Sequence, residues 1–217
     1  MIKNDACTNM IKQQLRTGDV LDERILTLFA TISREQFVPK EMREFAYSDM
    51  HIPLAHQQCM LTPLEEGRIL QALQLNGTET VLEIGTGTGF MTALLSHLAA
   101  RVISIDYHAE FTQQARVNLD ALDRHNVELI TADGYEGYLE RAPFDVVIMT
   151  GAIPTITETH QLQLLPFGKL FAIVGRAPVM QGILYSVDDN NNWTQRLVFD
   201  TCVPSLINRL PTKQFVF

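Results

Sequence analysis

The ten residues VLEIGTGTGF, positions 81–90, decide how the rest of the chain is read. Val81, Leu82 and Ile84 make a short buried strand, and Phe90 opens the helical run FMTALLSHLAA. Between them lie Gly85, Gly87 and Gly89. A glycine-rich turn from a strand into a helix lets backbone approach a ligand seated over the helix N-terminus. A tight turn alone does not need three glycines in five residues.

The pattern repeats downstream. RVISID, NVELITAD, FDVVIMTGA and KLFAIVG read as strands. AEFTQQARVNLDALDRH reads as a helix, GYEGYLE as a short helix or turn, and HQLQLLPFG as helix then turn. Strands alternating with helices predict βαβ units, hence an α/β fold with a Rossmann-like, doubly wound, mostly parallel sheet. GILYSVDDNNNWTQRLVFDTCVP places two β-rich runs around an Asp-Asn turn, predicting a C-terminal β-hairpin at the sheet edge.

Upstream the chain is helical and mixed. NMIKQQLRTG ends at Gly18, and DERILTLFATI follows with Asp22 as N-cap. Thr62, Pro63 and Glu65 predict a capped helix start, with Ile69, Leu70 and Leu73 on its core face. The expected organisation is an N-terminal helical and loop extension over 1–62, packing on the core and shaping the substrate site. A ligand-binding core over 63–217 completes one structural domain.

Composition narrows the function. A net charge of −8 with no basic stripe argues against a nucleic-acid partner. No apolar run approaches the roughly 20 residues needed to span a bilayer. The polar start MIKNDACTNMIKQQLR is expected to be neither signal peptide nor anchor. Cys7, Cys59 and Cys202 form no Cys-x-x-Cys pair, so reduced thiols in a cytoplasmic protein are expected. The six histidines, His51, His56, His97, His108, His125 and His160, show no ligand spacing, so no metal is expected.

The ligand can be read from charge. The dinucleotide fingerprint is Gly-x-Gly-x-x-Gly, and here the third glycine comes one residue early. Glu83 stands just before the loop, where a carboxylate would repel a pyrophosphate. A ligand with an amino group and a sulfonium would welcome it, and S-adenosylmethionine is such a ligand. Asp106, at the end of the next strand, can hold both ribose hydroxyls. Asp133 can accept from an adenine amino group, Gly134 turns the chain, and Thr150 with Gly151 would line the crevice floor.

VLEIGTGTGF, NVELITADGYEGY, APFDVVIMTGA and LLPFGKLFAIVG together resemble the successive motifs of class I S-adenosylmethionine-dependent methyltransferases. QQLRTGDVLDERILTLFATISREQFVPKEMREFAYSDMHIPL resembles the N-terminal region of the protein-L-isoaspartate O-methyltransferases. The resemblance covers about residues 9 to 175. It implies S-adenosylmethionine as donor, S-adenosylhomocysteine as product, and methylation of the side carboxylate of isoaspartyl residues in a protein or peptide, as repair of damaged chains. The donor-binding set is then Glu83, Ile84, Gly85, Thr86, Gly87, Gly89, Asp106, Tyr107, Asp133, Gly134 and Thr150, in a monomer or homodimer. CVPSL resembles a segment that shapes the family's acceptor site.

One loop departs. HQQCMLTP, residues 56–63, occupies the place of a family pattern Gly-Gln-Thr-Ile-Ser followed by Pro two residues later. Gln58 and Pro63 match, Cys59 stands at the threonine and Leu61 at the serine. Gln58, Cys59 and Leu61 are therefore the active-site loop positions, with no catalytic role assigned. A carboxylate acceptor, with a pKa of about 4, needs no general base at neutral pH. Cys59 reads as a pocket-lining residue ahead of a nucleophile, and His56 as a loop hydrogen-bonding residue. Leu61 implies a weakened isoaspartyl activity or a different acceptor, a small molecule included. A donor-binding protein without transfer is the third reading.

Overall fold

A computed structural model of the chain describes residues 5–207. The closing stretch at 208–217, which the sequence left without a role, lies outside the described residues. The first third is helical and irregular, as its mixed pattern predicts. Helix α1 (Asp5–Met10) runs into a π-helical turn, Ile11–Leu15. Helix α2 (Glu23–Thr31) starts at Asp22, whose carboxylate accepts from the Arg24 amide at 2.9 Å. Two 3-10 turns lead to a small hairpin of strands β1 (Ile52–Pro53) and β2 (Cys59–Met60).

Helix α3 (Pro63–Leu73) follows at once. The expected capping box is formed. The Thr62 hydroxyl accepts from the Glu65 amide at 3.2 Å, and the Glu65 carboxylate accepts from the Thr62 amide at 2.8 Å. Ile69, Leu70 and Leu73 are buried, as their spacing requires.

The core alternates strand and helix: β3 (Thr80–Ile84), α4 (Phe90–Leu98), β4 (Arg101–Asp106), α5 (Ala109–Asp120), β5 (Val127–Thr131) and β6 (Phe144–Ile153). Then come α6 (Glu158–Gln161), β7 (Leu164–Arg176), β8 (Val179–Val187) and β9 (Trp193–Thr201). The seven-stranded sheet has the order β5-β4-β3-β6-β7-β8-β9. Its first four pairings are parallel and the last two antiparallel. The predicted mixed α/β sheet is therefore present, with the C-terminal hairpin as its edge.

One element differs. The segment read as helix then turn carries only the one-turn α6, and β7 already begins at Leu164. Leu164 is in register with Phe144 of β6, so ladder hydrogen bonds claim this stretch. A bulge follows, with Phe167 at φ 65. Pairing to an existing strand outweighs the weak helical pattern.

The two sheet faces are covered differently. Val81, Val102, Val146 and Phe171 pack into one cluster with Met10, Leu15, Phe29, Leu70 and Leu94, so the N-terminal helices share the core of the sheet. Leu82, Ile84, Ile105 and Met149 on the other face lie under Tyr135, Tyr138, Ile156 and Leu206, which come from loops. The loop-covered face leaves room at the strand ends. Among the described residues, no helix is long and apolar enough to cross a membrane.

Candidate active site

The carboxyl ends of β3, β4, β5 and β6 open into a crevice. The chain order reverses between β4 and β6 around β3, and such a switch point is where open α/β sheets bind ligands. Ile84, Gly85, Gly87, Asp106, Tyr107, Asp133, Gly134 and Thr150 all line it, from four separate stretches of sequence.

The glycine loop is shaped for close approach. Gly85 has φ 100, and a Cβ there would come within 2.2 Å of the Thr150 hydroxyl. That hydroxyl donates to the Gly85 carbonyl at 2.7 Å and pins the loop to β6. Gly87 has φ 52, with only Leu54 nearby at 3.7 Å, so its open side faces the crevice. Asp106 accepts from the amides of Gly87 and His108, each at 2.9 Å, through different oxygens. Each oxygen keeps a lone pair, which suits a vicinal diol. Burial raises the Asp106 carboxyl above its usual range, and the two amides pull it back. Asp133 accepts from the Tyr135 amide at 3.0 Å, closing the turn around Gly134. Tyr107 stands at the rim, about half exposed.

Two predicted donor residues lie elsewhere. Glu83 is fully buried and absent from the crevice lining. Side chains alternate along a strand, so Glu83 shares a face with Val81 and turns away from the face of Ile84. Its Oε2 accepts from the Thr92 and Ser104 hydroxyls at 2.5 and 2.6 Å, while Oε1 is buried without a hydrogen-bond partner among the described residues. Gly89 also misses the crevice. It is the N-cap of α4, with φ 85, and a Cβ would approach that of Ala115 to 2.8 Å. Its role is close packing of α4 against α5.

A smaller chamber adjoins the crevice at Gly85, Gly87, Leu54 and Cys59. Thr86 lines it, its hydroxyl bonded to that of Ser104 at 2.7 Å. Thr88, Phe90 and Met91 at the start of α4 form another wall, and Leu61 and Glu66 complete it. Leu61 thus faces the smaller chamber, Gln58 the main crevice, and Cys59 both. Arg34, fully buried, donates to the Leu61 carbonyl at 2.6 Å and pairs with Glu66. Its guanidinium lies 4.8 Å from the centre of the Phe90 ring.

The hairpin tip over residues 54–58 walls the crevice beside α5. His56 and Gln57 are both left-handed, at φ 56 and 58, a costly conformation for side chains with a Cβ. The tip is held by the His56 ring stacked on His108 at 3.7 Å. A 2.8 Å contact joins His56 Nε2 to the Glu110 carboxylate, in keeping with a hydrogen-bonding role for this histidine. Burial pushes the Cys59 thiol up to about 11, so it remains a neutral wall residue. On the far side, Ala152 donates to the Pro204 carbonyl at 3.0 Å and accepts from the Leu206 amide at 2.9 Å. This brings Val203, Pro204 and Leu206 onto the crevice mouth.

Sequence reasoning assigned no role to Leu54, His108, Tyr135 and Glu66. Glu66 left a signal: it falls three and four residues before Ile69 and Leu70, a charge on the apolar face of α3. The others arrive through loop geometry and leave none.

A Rossmann-like sheet with a glycine loop and acidic strand ends defines the class I methyltransferase architecture. The profile of the protein-L-isoaspartate(D-aspartate) O-methyltransferase (PCMT) family matches residues 5–203. A protein-L-isoaspartate O-methyltransferase of Koribacter versatilis is 40% identical over 202 residues, covering 92% of this chain and 90% of that protein. Among solved structures, a protein-L-isoaspartate O-methyltransferase superposes with a TM-score of 0.78 at 23% identity, over 92% of this chain and 65% of that one. A Plasmodium falciparum structure of the same type, in complex with S-adenosyl-L-homocysteine, gives 0.75 at 16% identity over 94% and 98%. The chain belongs to the PCMT family, and so to the methyltransferases that draw on S-adenosylmethionine.

Proposed function

We propose that the chain methylates the side carboxylate of isoaspartyl residues in proteins, with the adenosine half of the donor held by Asp106, Tyr107, Asp133 and Gly134. The observation that carries this is the arrangement of the crevice. Residues from four strand ends form one wall, and Gln58, Cys59, Val203 and Leu206 frame the mouth opposite. The residues fit the donor. Glycines at positive φ give its backbone room, and the Asp106 oxygens suit the ribose hydroxyls.

Bound there, the donor supplies a methyl group on a sulfonium, open to in-line displacement. The acceptor carboxylate is already ionised at neutral pH, so no side chain has to take a proton. The chain's own work is alignment, which can contribute on the order of 7–11 kcal/mol. The hairpin tip and the 203–206 segment hold the acceptor, while Thr150 and Asp106 fix the glycine loop.

A second reading keeps the donor and changes the acceptor to a neutral peptide group or small molecule. It is favoured by the lining: among the described residues, no lysine or arginine faces the crevice or the chamber. Labelled-methyl transfer to an isoaspartyl peptide, against its aspartyl isomer, tests the first reading. Label on the isoaspartyl form alone is expected. S-adenosylhomocysteine binding without any such transfer favours the second.

A further inference from the structure

We propose that Glu65 is a positioning residue for the methyl acceptor: its carboxylate holds both jaws of the crevice mouth, one with each oxygen, and so sets the gap that receives the acceptor peptide. This rests on the isoaspartyl reading above, in which Gln58 and Cys59 form one jaw and Val203 and Leu206 the other.

Oε2 serves the hairpin. It meets His51 Nε2 at 2.8 Å and accepts from the Thr62 amide at 2.8 Å. His51 directly precedes β1, and Thr62 follows β2 after Leu61. One oxygen therefore clasps the hairpin at both ends of its base, and the hairpin carries Gln58 and Cys59. Oε1 serves the other jaw. It accepts from the Thr201 hydroxyl at 2.5 Å, where β9 ends and the chain turns toward Val203. Beyond that point Ala152 bonds to the backbone of Pro204 and Leu206, so the 203–206 segment hangs between β6 and Glu65.

A capping role alone accounts for the Thr62 contact and leaves His51 and Oε1 unexplained. Glu65 is buried, yet it lines neither the crevice nor the chamber, so it acts through the jaws and not on the acceptor itself. Its backbone is fixed, because α3 buries Ile69, Leu70 and Leu73 in the core. A pin on a rigid element places what it holds more closely than a loop contact does. Burial works against the Glu65 charge, but the bonds to His51, Thr201 and the Thr62 amide outweigh it and hold the carboxyl below its usual range. Both jaws are therefore gripped by an ionised group, whose hydrogen bonds are the stronger kind.

The test is labelled-methyl transfer over a concentration series of an isoaspartyl peptide, run on the full chain beside calorimetry with S-adenosylhomocysteine. Thr201→Val releases Oε1 and leaves the helix cap in place. It is expected to raise the peptide KM about three- to tenfold, with kcat and the S-adenosylhomocysteine Kd each within about twofold of the unaltered chain. Thr201→Ser returns the hydroxyl and should return the KM. Glu65→Gln loosens both jaws and should raise the KM by about tenfold or more. A general loss of structure would instead lower kcat or weaken both ligands together. An unchanged KM in Thr201→Val, a KM in Thr201→Ser as high as that of the valine variant, or an equal loss of S-adenosylhomocysteine binding overturns the proposal. If Glu65→Gln does not fold, the two Thr201 variants decide. No transfer by the unaltered chain, with S-adenosylhomocysteine still bound, overturns the isoaspartyl reading and this proposal with it.

Discussion

Cys59 and Glu83 show how burial sets the chemistry of single residues in this protein. Cys59 lies in the active-site loop, but desolvation and the nearby Glu65 charge hold its thiol near 11. It should therefore react more slowly with iodoacetamide at pH 8 than the exposed Cys202, as mass spectrometry of timed samples can read. Cys59→Ser should keep methyl transfer within the same order of magnitude. Faster labelling of Cys59, or a thousandfold loss in the serine variant, would restore the nucleophile reading. Glu83 is raised to about 7, chiefly by burial, against hydrogen bonds from Ser104 and Thr92. The native state then keeps a proton that the unfolded chain sheds near pH 4.5. That contribution is intact below the unfolded value and is lost as pH rises through about 7. Glu83→Gln has no such proton to lose, so its Tm should gain on the unaltered chain between pH 5 and pH 8. A difference that stays flat across that range would show that Glu83 is already ionised in the fold.

At the scale of elements, Glu65 joins three that are distant in sequence. It caps α3, meets His51 Nε2 at 2.8 Å beside β1, and accepts from the Thr201 hydroxyl at 2.5 Å at the end of β9. The hairpin that walls the crevice and the strand that leads to its mouth are thus fixed to one helix start. The Glu65 carboxylate raises the His51 imidazole above its usual range. A raised histidine stabilises the fold below its ordinary pKa of about 6.5, and that stability fades as pH climbs past the raised value. His51→Gln should accordingly lower Tm more at pH 6 than at pH 9. An equal deficit at both would mean that His51 acts through packing alone.

Across the whole molecule, donor binding and folding are linked, since the crevice is assembled from stretches between residues 54 and 207. S-adenosylhomocysteine at about a hundred times its Kd should add about 2.7 kcal/mol to the unfolding free energy. For a chain of this size that is a Tm rise of roughly 5–10 °C. Thermal melts across a ligand series check it, and a Tm that ignores the ligand would mean the crevice is not the binding site. The same assembly explains why the N-terminal helices share a core with the sheet: Arg34, from the first third, holds both Leu61 and Glu66.

The sequence by itself determined the sheet, the glycine loop, the caps at Asp22 and Thr62, and the acidic strand ends at Asp106 and Asp133. These are local: period, capping chemistry and spacing act within a few residues, so one dimension carries them. Only the tertiary structure decided which way Glu83 faces, that Gly89 packs α4 on α5, and that 164 begins a strand. It alone brought the 203–206 segment beside Ala152 and Glu66 beside the glycine loop. These outcomes depend on which face of a strand meets which helix and on pairing across long separations, and no local pattern encodes those contacts.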